Sequence, residues 1–241
     1  MSDKPIPAAT LVLVRDRPTG APELLMVERA AGMAFAGGAL VFPGGRIDEA
    51  DGHGEAGARI AAIRETIEET AIPAALEPLP PAEQALAMQS ALVAGERLAG
   101  VVGAAGVEVN VASLTPLARW LPNFHVTRRF DTLFFIARAP PGDWQPNVIP
   151  GECSGAYWLT AADALERERR GDARLIFPTR RNLERLALHD SFEAMRANAE
   201  AHPIEPITPW VEERDGERYI TIPNHLGYPV TREKLDGLWR G

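Results

Sequence analysis

Residues 64–72 read Arg64-Glu65-Thr66-Ile67-Glu68-Glu69-Thr70-Ala71-Ile72, and upstream of them stands a glycine turn, Phe42-Pro43-Gly44-Gly45. At roughly 100° per residue, a helix over 60–72 puts Glu65, Glu68 and Glu69 on one face and Ile60, Ile63 and Ile67 on the opposite one. Three converging carboxylates repel one another unless a cation lies between them, and hard divalent ions take oxygen ligands of this kind. The stripe therefore reads as half of a metal site. On its own, such a stripe is more often the solvated face of an amphipathic helix; the upstream glycines shift that balance. Arg64 lies one turn before Glu68, where its planar fork can hold the carboxylate in one rotamer. Without side chains, Gly44 and Gly45 let main-chain carbonyls approach a ligand or metal, and Pro43 stiffens the entry.

This pairing resembles the Nudix box, Gly-x5-Glu-x7-Arg-Glu-(aliphatic)-x-Glu-Glu-x-Gly-(aliphatic), at Gly45, Arg64, Glu65, Glu68, Glu69 and Ile72. Three features depart from the pattern. Thr66 stands at the first aliphatic position. Ala71 replaces the final glycine, so the helix exit is expected to avoid a left-handed conformation there. The interval from Gly45 to Arg64 is longer than the pattern, and residues 51–55 read as an inserted turn. Asp51 keeps the family's spacing from Gly45 and Glu55 lies nearer the spacing from Arg64, so both stay open for the role of the first glutamate.

The resemblance continues on both flanks, over about 8–188. Arg29, Gly38 and Phe42 keep the mutual spacing of a signature that precedes the box in Nudix coenzyme A diphosphatases, whereas Val27, Ala30 and Ala36 depart from it. Downstream, residues 128–135 and the run from Gly151-Glu152 to Trp158-Leu159 are similar to a longer branch of the same enzymes. The resemblance implies an α+β fold, a Nudix-type α/β/α sandwich with a mixed sheet, here with a helical insertion and a C-terminal extension. It also implies hydrolysis of a diphosphate linkage in coenzyme A or acyl-coenzyme A. The alternative substrates are ADP-ribose, dinucleotides or other nucleoside diphosphate derivatives, and the alternative class is a Nudix-shaped binding module without turnover.

In that reading Mg²⁺ or Mn²⁺ is held mainly by Glu65 and Glu69, with Glu68 and the Gly44 carbonyl, and lowers the pKa of bound water. Arg64 supports the carboxylates. Glu152 is spaced from Trp158 as a loop carboxylate is in many Nudix enzymes, and both it and Glu68 qualify as general base. Arg29, Arg129 and Phe42 are the candidate substrate contacts. Arg128 and Arg129 are neighbours entering a strand, so at most one of them reaches the pocket.

Composition agrees with a small-molecule enzyme. The 241 residues form one domain with a core of about 8–188 and an extension over 189–241. A net charge of −8 argues against broad electrostatic capture of nucleic acid. Cys153 is the sole cysteine, so an internal disulfide and a cysteine zinc cluster are ruled out. The five histidines show no zinc-ligand spacing. No apolar run has the length of a membrane span, and no signal-peptide core follows the N-terminus, so a cytoplasmic location is expected. The extension leaves room for a homodimer.

Periodicity supplies the elements. Residues 8–15 and 23–29 read as a strand hairpin, 39–42 as a strand delivering the glycine turn, 73–81 as a proline-rich loop and 83–99 as one helix. Strands follow over 117–121, 130–137 and 156–159. A helix over 161–170 has Thr160 as N-cap and Gly171 as stop. Residues 178–188 and 190–201 read as helices, and 210–223 as a hairpin about Asp215-Gly216.

Overall fold

The computed structural model describes residues 4–32, 36–122, 129–151 and 153–235. Strands β1 (Ile6–Arg15), β2 (Glu23–Arg29), β3 (Leu40–Val41) and β4 (Gly44–Arg46) lead into helix α1 (Gly54–Thr70). Strand β5 (Leu76–Glu77), helices α2 (Ala82–Val93) and α3 (Leu98–Ala105), and strand β6 (Glu108–Val109) form an insertion closed by β5 pairing with β6. Then come β7 (Thr115–Trp120), β8 (Phe130–Arg138) and β9 (Cys153–Thr160), followed by α4 (Ala161–Arg170), α5 (Phe177–Leu186) and α6 (Phe192–Glu200). The chain closes with β10 (Pro206–Ile207), β11 (Trp210–Arg214), β12 (Glu217–Thr221) and β13 (Arg232–Lys234).

Eight strands make one mixed sheet in the order β10-β7-β8-β1-β2-β3, with β4 added to β1 and β9 to β2. The pairs β1–β8 and β7–β10 are parallel; the others are antiparallel. A strand covered on both faces reads as a continuous apolar run, and β1 and β8 do so for that reason. Leu11, Leu13, Phe135 and Ala137 pack against Ala58, Ala62, Ile63 and Ile67 of α1. Val12, Val14, Phe134 and Ile136 face a second core containing Leu183, Phe192 and Met195 of α5 and α6. This is the expected α+β sandwich with a mixed sheet.

The C-terminal segments cover that second core. Ile207, Ile222, Leu226 and Tyr228 are buried in it, and β10 extends the sheet edge beside β7. The buried Trp120 indole donates to the Tyr228 hydroxyl, which donates to Asn182 Oδ1. Burial pushes the Tyr228 phenol up to about 12, so it remains a neutral donor. The described residues of these segments thus pack on the sheet.

Several local readings hold in detail. The Thr160 hydroxyl accepts from the Asp163 amide at the start of α4, and Gly171 ends that helix with a positive φ of 81°. Asp215 and Gly216 both take positive φ at the tip of the β11–β12 hairpin, as its tight turn requires. Three readings are corrected. The helix over 83–99 is two helices, α2 and α3, separated at Gly95, whose φ is 88°. Residues 51–55 are not one inserted turn: a short 3-10 turn spans Glu49–Asp51, and α1 already starts at Gly54. The extra residues thus lengthen the helix at its N-terminus. Finally, Ala71 does adopt the left-handed conformation, with φ 57° and ψ 8°.

Candidate active site

The acidic face of α1 lies against the glycine turn because β4 pairs with β1 at Thr10–Gly44 and Ala9–Gly45, which carries the turn beneath the helix. Glu69, 6% exposed, accepts a hydrogen bond from the Gly44 amide at 3.1 Å. A Cβ on Gly45 would fall 2.3 Å from Glu65 Oε1, and one on Gly44 would fall 2.5 Å from the Ala9 carbonyl oxygen. Backbone approach requires glycine at position 44, whereas at position 45 a Cβ would have to displace the Glu65 carboxylate. One packs the turn onto the sheet; the other makes the cradle for Glu65.

Arg64 organises the remaining acids. Its guanidinium donates to Asp51 through Nε at 3.0 Å and Nη2 at 2.9 Å, a bidentate pair, and to the Arg46 carbonyl at 3.0 Å. Its Nη1 donates to Glu68 Oε2 at 3.1 Å and lies 3.0 Å from Glu65 Oε1. Asp48 stands at 3.6 Å. Burial alone lowers the Arg64 pKa, but the Asp51 hydrogen bonds and the charges of Glu65, Asp51 and Asp48 outweigh it and hold the group well above its ordinary value. One arginine thus fixes the rotamers of two of the three α1 carboxylates.

A family profile described as NUDIX domain matches residues 4–90, the segment that holds the glycine turn and the carboxylate helix. The fold is a Nudix fold, and the family match lies in residues 4–90. Among solved structures, a NUDIX hydrolase from Alicyclobacillus acidocaldarius is 28% identical, covering 80% of this chain and 96% of that one, with a TM-score of 0.68. The NUDIX domain of Shewanella oneidensis NrtR complexed with ADP ribose is 16% identical over 76% of this chain and 86% of that one, with a TM-score of 0.48. A C. elegans Ap4A hydrolase is 18% identical over 67% and 84%, with a TM-score of 0.39. A comparison with curated proteins found no match. With the Nudix fold and its carboxylates in place, the chain is a hydrolase acting on phosphorus-containing anhydrides.

Within the Nudix box the geometry separates Asp51 from Glu55. Asp51, 8% exposed, makes the bidentate pair with Arg64. Glu55 is exposed and pairs with Arg59 at 2.8 Å. Arg59 occupies the position that counting forward from Gly45 would give the box arginine. It instead stacks its guanidinium on Phe135 at 5.1 Å and donates to the Val111 and Leu114 carbonyls. Of the two acids, Asp51 is thus the one that reaches Arg64.

Arg29 ends β2, and Arg129 precedes β8 with its carbonyl accepting from the Ile6 amide. Each has a buried Nε without a hydrogen-bond partner among the described residues. Leu133 and Phe135 face the α1 layer, and Arg129 keeps their parity along the strand direction. Phe42 is placed otherwise than expected. At 2% exposure it packs in the core with Met26, Leu40 and Leu175, so it supports the glycine turn from beneath and presents no contact surface. Glu152 and Arg128 lie outside the described residues. Sequence reasoning passed over Gln89, and the available signal was its place as a lone polar residue on the stripe that Ala85, Met88 and Leu92 form along α2.

Glutamate and main-chain oxygens are the donors a hard divalent cation takes, and the Gly45 cradle leaves Glu65 room that any other residue would fill. The set fits such an ion. Among the described residues no three acidic, histidine or cysteine side chains form a ready-made metal cage, in keeping with Arg64 and the Gly44 amide serving as the acids' partners. A Gly45→Ala substitution is expected to displace Glu65 and lower kcat at least about tenfold, the size of a supporting-shell defect, with little change in unfolding temperature. Steady-state kinetics beside thermal denaturation checks it; an unchanged kcat would sever the link between cradle and catalysis.

Proposed function

We propose that the chain hydrolyses the diphosphate linkage of coenzyme A and acyl-coenzyme A, with Mg²⁺ or Mn²⁺ held by Glu65, Glu69, Glu68 and the Gly44 carbonyl. The observation that carries this reading is the placing of three α1 carboxylates beside the Gly44-Gly45 turn, with Arg64 fixing two of them. A divalent cation supplies charge compensation for the phosphates and acidifies bound water. The protein's own residues do the rest. Arg64 restrains Glu65 and Glu68, and the Gly44 amide restrains Glu69, so little reorganisation accompanies binding. Arg29 and Arg129 donate to phosphate oxygens, which satisfies their buried Nε groups through charge-assisted hydrogen bonds. Glu68 or Glu152 accepts the proton of the attacking water. Water adds to one phosphorus and the bridging P–O bond breaks, so a phosphopantetheine and an adenosine diphosphate leave, each ending in phosphate.

The signature spacing of Arg29, Gly38 and Phe42 favours coenzyme A. A second reading, hydrolysis of ADP-ribose or dinucleotides, is favoured by Val27, Ala30 and Ala36, which break that signature. Incubation with coenzyme A, acetyl-coenzyme A, ADP-ribose, NADH and diadenosine polyphosphates, with product masses as the readout, separates the two. Coenzyme A is expected to give the highest kcat/KM, and Arg29→Ala and Arg129→Ala are each expected to raise KM about tenfold, as the loss of a charged hydrogen bond does. Cleavage of ADP-ribose or dinucleotides without coenzyme A would install the second reading. Metal-independent silence across the panel would leave a binding module.

A further inference from the structure

The last turn of α1 carries Glu68 and Glu69, and it ends in an unusual way. A helix leaves its final carbonyls without intrahelical partners, and a glycine in left-handed conformation commonly follows. Here Ala71 takes that conformation, and its amide reaches only the Ile67 carbonyl, at 2.8 Å. Other parts of the chain supply the missing donors. Gln89 of α2 donates through Nε2 to the Glu68 carbonyl at 3.0 Å and to the Asn147 carbonyl at 2.8 Å. Asn147 returns an Nδ2 bond to Gln89 Oε1 at 2.7 Å, and its amide donates to the Thr70 carbonyl at 2.8 Å. Both amide hydrogens and the oxygen of Gln89 are thus used, and the residue is fully buried. A leucine there would fill similar space and leave the Glu68 and Asn147 carbonyls without this donor and Asn147 Nδ2 without this acceptor.

We propose that Gln89, locked to Asn147, is a positioning residue that caps the carboxylate helix from the inserted helix α2 and sets the height of Glu68 and Glu69 over the Gly44-Gly45 turn. The inference rests on the metal-site reading given above. A loosened cap lets the last turn unwind toward Ala71, and the Glu69 contact with the Gly44 amide is the first to lengthen.

The test compares Gln89→Leu with Gln84→Leu in the full chain. Gln84 lies on the same helix and donates to the Ala105 carbonyl at 3.0 Å, tying α2 to α3 without touching α1. Two readouts are taken: amide hydrogen exchange at Gly44 and over residues 66–72, and Mn²⁺ titration of the substrate-free protein. Gln89→Leu is expected to speed exchange at these amides and weaken Mn²⁺ binding about tenfold, the scale of losing a hydrogen bond that holds a metal ligand in place, while Gln84→Leu changes neither. Where hydrolysis is measurable, kcat should fall with KM unchanged. Equal exchange and equal Mn²⁺ affinity in the two variants would overturn the positioning role. If the wild type binds Mn²⁺ yet hydrolyses nothing, the functional reading fails while exchange and affinity still decide the role of Gln89; if it binds no Mn²⁺, the metal site fails and exchange alone decides.

Discussion

Glu69→Gln is expected to lower kcat about a thousandfold, equivalent to about 4 kcal/mol of lost transition-state stabilisation, because an amide cannot supply the anionic ligand on which charge compensation depends. Stability should hardly change. Glu69 is 6% exposed and accepts a hydrogen bond from the Gly44 amide, and glutamine keeps an acceptor of the same length for that bond. The expected pattern is therefore an inactive protein with a thermal midpoint within about 2 °C of wild type, less than a 1 kcal/mol change would shift it. Kinetics at saturating Mn²⁺ beside calorimetry makes the comparison. A kcat within about threefold of wild type, well under one tenfold step of 1.36 kcal/mol, would remove Glu69 from the ligand set.

Arg64→Leu is expected to cost about 3–5 kcal/mol of stability, since it strands the buried Asp51 carboxylate without its counter-charge. The magnitude follows from burial. Arg64 and Asp51 are each 8% exposed, whereas an exposed pair such as Arg169 with Glu166 contributes little. Glu65 and Glu68 would also lose the cation that lies about 3 Å from both. Adding Asp51→Asn removes the stranded charge, and the double variant is expected to recover part of the loss. Urea unfolding of the three variants measures this. A cost below about 1 kcal/mol for Arg64→Leu, the range of a solvated ion pair, would contradict the central place given to this arginine.

What the sequence disclosed follows from the range over which each feature is decided. Helix α4 was legible at both ends because Thr160 and Gly171 act on their immediate neighbours. The face of α1 was legible because Ile63 and Ile67 against Glu65, Glu68 and Glu69 is a matter of angle alone. The stretched interval before Arg64 was not legible. A turn and a helix extension compete there, and the outcome rests on Gly57 packing at the 3-10 turn, where a Cβ would lie 2.5 Å from the Gly52 carbonyl carbon. Spacing left both Asp51 and Glu55 open as the acid that goes with Arg64, and the bidentate Arg64–Asp51 pair separates them. Ala71 misled for the same reason. Local propensity opposes a left-handed alanine, and its compensation comes from Gln89 and Asn147, far along the chain. Phe42 was ambiguous because an aromatic residue beside a glycine turn has the same pattern whether it faces a ligand or the core.

The most direct test of metal-assisted water attack is hydrolysis in ¹⁸O-labelled water, with product masses recorded in Mn²⁺ and in excess chelator. The account predicts one labelled oxygen in one of the two phosphate-ended products, with cleavage lost on chelation and restored by added Mn²⁺. Cleavage that persists undiminished in chelator, or products without the label, would contradict it.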